Sequence, residues 1–197
     1  CQELKGRPGR APLQPIKSTY FNELVCSDVV VLPPTKSGNQ YLVTFIDHFS
    51  KWAEVFPTAD HTAETVCRLF VDGWICRYGT PSRFLSDQGA EYESALMKEL
   101  TRTFGVKKVR TSPLHPQTNG VTERVQKTLK NMLASLIDGP DKDRWDEELG
   151  MALYAYRSAQ HETTGYSPFE VVFGEQMGLP LERQCGFAPP SFDDVNQ

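Results

Sequence analysis

Three apolar runs near the start of the chain constrain its fold more than anything that follows. FNELVCSDVVV (21–31) is rich in β-branched residues, YLVTFI (41–46) is apolar but for Thr44, and AEVF (53–56) ends on an aromatic. Continuous rather than alternating apolarity marks strands covered on both faces. Pro33, Pro34 and Ser37-Gly38-Asn39 punctuate the first two runs, so the opening predicts a three-stranded meander. Asp47 and Trp52 fall in the second connection, where Asp47 suits a turn or cap better than a metal.

The pattern then changes period. TAETVCRLFVDGWICRY (62–78) places Val66, Leu69, Phe70, Trp74 and Ile75 on one helical stripe, which Gly79-Thr80-Pro81 stops. Arg83 to Ser86 reads as a fourth strand that delivers Asp87 at its carboxyl end, the edge where α/β sheets tend to bind ligands. Ser94 to Phe104 predicts a helix with Leu96, Met97, Leu100 and Phe104 inward, capped by Gly105, and Val106 to Thr111 a short cationic strand. Trp145 to Ser158 predicts a last helix with Leu149, Leu153 and Tyr156 in the core. Strands interleaved with helices in this order imply a five-stranded mixed α/β sheet flanked by helices on both faces.

The chemistry gathers in SPLHPQTNGVTERVQKTLKNM (112–132), a proline- and glycine-punctuated loop opening into a helix. Glu123 sits in its first turns, with Lys127 and Lys130 at i+4 and i+7. One acid at a strand end, Asp87, and one on a helix, Glu123, suit a divalent cation, because hard cations take oxygen ligands. From Arg102 to Lys130 there are seven cations against Glu123 alone, although the net charge of the whole chain is −4. Phosphate contact and a solvated basic face both account for that local excess. The HPQTNG loop can likewise be a nucleic-acid contact or a helix-capping turn built on Thr118 or Asn119.

These stretches resemble a known family. SDQGAEYES, HPQTNGVTER with 35 residues between Asp87 and Glu123, YLVTFIDHFSKWAE and TTGYSPFEVVFGEQMGLP are together similar to the integrase catalytic core of Gypsy-type LTR retrotransposons, or a host-domesticated copy of one, over roughly residues 18 to 181. The resemblance implies a ribonuclease-H-like fold and DNA strand transfer at two magnesium or manganese ions held by Asp, Asp and Glu. Carried over residue by residue, it implies Asp28, Asp87 and Glu123 as catalytic metal ligands. It also implies His115, Gln117, Asn119, Arg124, Lys127 and Lys130 at double-stranded DNA, a homodimer, and a nuclear site of action with cytoplasmic passage beforehand.

The first acid departs from the family pattern. Family members read Asp, four residues, Leu-Pro, and Leu32-Pro33 lies at that distance from Ser27; Phe21 gives the same offset. Without a gap, Ser27 holds the catalytic position and Asp28 points to the opposite face, unless a bulge restores its direction. A domesticated domain retained as a DNA-binding or protein-interaction module is the alternative.

The flanks carry less. Residues 1–17 read as a basic linker, which the resemblance ties to the end of a truncated zinc-binding module, residues 18–181 as the core and 182–197 as a tail. Five cysteines with no CxxC support neither a disulfide framework nor a self-contained zinc site. No apolar run approaches the roughly 18 residues that cross a bilayer.

Overall fold

A computed structural model describes residues 17–110, 124, 125, 127–132, 134 and 143–180. The expected linker before Lys17, the loop with His115, Gln117 and Asn119, the acid Glu123 and the expected tail lie outside the described residues.

Five strands form one mixed sheet in the order β3-β2-β1-β4-β5. The meander is β1 (Leu24–Val31), β2 (Tyr41–Asp47) and β3 (Ala53–Thr58), paired antiparallel, whereas β4 (Arg83–Ser86) and β5 (Lys107–Arg110) join in parallel. The parallel additions are possible because a helix crosses over before each of them. Before β4 comes α1 (Ala63–Phe70), whose N-cap Thr62 accepts from Thr65 N–H at 3.3 Å. It continues through a π turn at Val71–Ile75 into α2 (Cys76–Tyr78) and stops at Gly79, φ +83°. Before β5 come α3 (Ala90–Glu93) and α4 (Ala95–Thr103). Helical residues 124, 125, 127–132 and 134 are α5, followed by α6 (Trp145–Ser158) and α7 (Pro168–Phe173).

Each face of the sheet has its own core, which is why the first strands carry apolar residues on both faces. Val25, Val43, Phe45 and Phe84 pack against Phe70, Trp74, Tyr92 and Met97, with the Phe70 and Phe84 rings 4.5 Å apart. On the other face Val30, Leu42, Ile46 and Val55 pack against Val125, Leu129, Trp145, Leu149, Leu153 and Tyr156. The close approach of the first helix to β3 needs a glycine: a Cβ on Gly73 would lie 2.3 Å from the Phe56 ring.

Most expectations hold. α6 has the predicted bounds and buries Leu149, Leu153 and Tyr156. Asp47 is a turn residue: Oδ1 accepts from Asn22 N–H at 2.9 Å, and Oδ2 from Ser50 N–H and Oγ at 2.6 and 2.7 Å. Two inward assignments on α4 fail, since Leu96 is 43% and Phe104 39% exposed. That helix touches α1, α3 and β5 only along a narrow stripe centred on Met97 and Thr101. α7 was not anticipated, although SPFE carries its signal: Ser167 and Glu170 form a reciprocal capping box with Pro168 in the first turn.

Candidate active site

Asp87 leaves the end of β4 into a tight turn, where its Oδ1 accepts from Gly89 N–H at 2.9 Å and its side chain is exposed. The turn leads directly into α3, so the next acid folds back over it: a Cβ on Gly89 would stand 2.6 Å from Glu91 Oε1. Glu91 in turn lies 3.8 Å from His61 Nδ1. Under this turn Tyr92 is fully buried, and its hydroxyl meets Ser27 Oγ at 2.8 Å. Burial pushes the Tyr92 phenol well above its usual range; the Ser27 bond opposes this, and the charges of Asp28, Glu91 and Asp87 add to it. Three carboxylates therefore act on one buried hydroxyl beside the end of β4.

The strand register decides how β1 contributes. Its pairing with β2 runs unbroken from Val25↔Asp47 to Val31↔Tyr41, with no extra residue. Ser27 lies opposite Phe45 and faces the core of α1 and α3, whereas Asp28, opposite Thr44, shares the face of Cys26 and Val30. Asp28 is half-buried; its Oδ1 accepts from Val29 N–H at 2.9 Å, and its carbonyl accepts from Thr44 Oγ1 at 3.0 Å. The α5 residues Val125 and Leu129 pack with Val30 on the Asp28 face, so the helix following Glu123 covers that side of the sheet.

The cations divide into two groups. Arg124, Lys127 and Lys130 are exposed, because Val125 and Leu129 are the buried anchors of α5. Lys108, by contrast, is consumed structurally: its ammonium is bonded to the Tyr92 carbonyl and to Glu93 Oε1, the latter at 2.7 Å. Arg102 pairs with Glu99 at 2.5 Å. The basic run is thus less basic in space than in sequence, since α3 and α4 bring acids against it. Sequence reasoning missed Ser27–Tyr92 as a bonded pair and Glu91 as a neighbour of Asp87, since both contacts depend on how the turn after β4 leads into α3.

Residues 19–116 match the model of the integrase core domain. The chain belongs to the retroelement integrase family. The retrovirus-related Pol polyprotein from transposon 412 of Drosophila melanogaster is 32% identical over 160 residues, 81% of this chain and 13% of that protein. The transposon Tf2-3 polyprotein of Schizosaccharomyces pombe is 30% identical over 199 residues, 98% of this chain and 14% of that protein. The integrase domain therefore spans about one seventh of the length of either relative. Its fold is that of the HTLV-2 integrase catalytic core in complex with magnesium (trimeric form), with TM-score 0.66 and 18% identity over 79% of this chain and 99% of that one.

Integrase core domains use divalent metal ions. Asp87 suits such ions, since it offers exposed carboxylate oxygen at the end of β4. Among the described residues no three His, Cys, Asp or Glu side chains form a complete cation cage.

Proposed function

We propose that this integrase domain transfers DNA strands in the nucleus, as a homodimer, with Asp28, Asp87 and Glu123 as its carboxylate ligands. The observation that supports it best is Asp87, exposed in a turn at the end of a strand parallel to β1, with one carboxylate oxygen held by the Gly89 N–H. Two divalent ions, when bound, would clamp the attacking and leaving oxygens of the scissile phosphodiester. The remaining work falls to the chain's own groups. Arg124, Lys127 and Lys130 present their charges to solvent from α5 and would hold the DNA backbone in register. His115, Gln117 and Asn119 would donate to bases or phosphates next to the cut. The Gly89 N–H fixes one Asp87 oxygen, which orients the carboxylate before any ligand arrives.

A second reading is a domain that keeps the fold and its basic helix without the chemistry. The unbroken β1–β2 register supports it, because it keeps Asp28 on the face opposite Ser27. The Pol polyprotein relatives weigh toward the first. Calorimetric titration with magnesium and manganese, paired with strand transfer on labelled duplex DNA, separates the two. Loss of both metal binding and transfer in each of Asp28→Asn, Asp87→Asn and Glu123→Gln supports the enzyme with this triad. Wild-type behaviour of Asp28→Asn in a chain that never transfers strands supports the second reading.

A further inference from the structure

A cavity of about 780 Å³ opens between Lys17–Thr19, the turn joining β2 to β3 and the loop leading into α7; His48, Lys51, Thr163 and Tyr166 line it. Lys51 is the residue that calls for a ligand. It is only 6% exposed, and its backbone sits at φ +66°, a conformation that favours glycine. Its ammonium donates to the His48 carbonyl, and among the described residues no carboxylate forms an ion pair with it. Asp47 is the acid that acts on it, yet both Asp47 oxygens are taken by Asn22 and Ser50. A cation held this deep without an ion pair is costly unless something negative reaches it.

The surroundings carry positive charge toward the same hollow. Lys17 lines the same cavity as Lys51. His48 is pushed down to about 4 by burial, then by Lys51 and Arg83, against Glu23. His161 is lowered by burial, then by Lys51 and Arg124, against Glu162. Glu170 lines the wall, but its Oε2 accepts from Ser167 N–H at 2.8 Å inside the capping box. Two cations, Lys51 in the wall and Lys17 beside it, face one cavity and suit a multiply charged anion better than a single carboxylate.

We propose that this cavity binds a phosphoryl anion, with the Lys51 ammonium as its buried charge partner and the Thr163 and Tyr166 hydroxyls at its rim. The site stands apart from the strand-transfer reading, since the turn it uses lies beside the start of β1 while Asp87 follows the end of β4. The phosphoryl group can belong to a nucleic-acid backbone or to a free compound.

Sodium pyrophosphate titrated into the 197-residue chain, followed by calorimetry and by the imidazole proton resonances of His48 and His161, tests it. We expect millimolar or tighter binding, an upward shift of both imidazole pKa values on binding, and about ten-fold weaker binding in Lys51→Gly and Lys51→Met. Lys51→Gly relieves the backbone conformation, so a folded variant is available. Displacement of pyrophosphate by a short DNA duplex assigns the source to nucleic acid, and retention assigns it to a free phosphoryl compound; both support the site. Absence of pyrophosphate binding to the folded wild type, or undiminished binding in both folded variants, overturns it.

Discussion

The Ser27–Tyr92 pair offers a quantitative test of the site's interior. The two hydroxyls lie 2.8 Å apart, with Tyr92 fully buried and Ser27 4% exposed, so each is the partner that excuses the other's burial. Tyr92→Phe leaves Ser27 Oγ without that bond and Ser27→Ala leaves the phenol without it; each should cost about 1–3 kcal/mol, the desolvation of one unsatisfied buried group. Removing both hydroxyls leaves an apolar contact of nearly the same shape, which is close to neutral. The double variant should therefore lose less stability than the sum of the single variants, by about 1 kcal/mol or more. Urea denaturation of the four proteins measures this, with the slope checked for constancy so that the midpoints report stability alone. Additivity within about 0.5 kcal/mol would mean that the hydroxyls do not depend on each other, and the reasoning would fail.

Three further outcomes follow from the same structure. Glu54 is buried in β3 and ion-paired to Arg157 at 3.0 Å and Arg77 at 3.6 Å, so Glu54→Gln should cost about 3–5 kcal/mol by chemical denaturation; a cost below 1 kcal/mol refutes the pairing. Gly79→Ala places a side chain at φ +83° and should lose about 1–2 kcal/mol, whereas an unchanged midpoint would mean that the turn relaxes freely. His48 titrates near 4 when folded and near 6.5 when unfolded, so the unfolded chain binds more protons between those values. Stability should fall as pH drops through that window, and His48→Gln should flatten the dependence; an identical pH profile in the variant counts against burial as its cause.

Much of this is legible in the amino-acid order. The long periodic segments gave themselves away: α6 was bounded correctly because its apolar spacing runs for four turns, and Asp87 because a short apolar run ends on it. The α7 capping box was present in SPFE and could have been read. The exposure of Leu96 and Phe104 could not, since periodicity marks which residues share a face but not how wide a neighbour covers it. The π turn at Val71–Ile75 leaves no mark in residue type; it carries Gly73, which packs against Phe56.

What the amino-acid order determined by itself is therefore local and periodic: where strands and helices form, which residues carry charge, and that two acids stand with 35 residues between them in a family pattern. Tertiary structure alone decided which charges remain available. It spent Lys108 on Glu93 and Tyr92 while leaving Arg124, Lys127 and Lys130 in solvent. It kept Ser27 and Asp28 on opposite faces by pairing β1 with β2 without a bulge, and it buried Lys51 at the wall of a cavity. The physical reason is common to all three: direction and burial are set by the partner strand or helix across the contact, and that partner is far away in sequence.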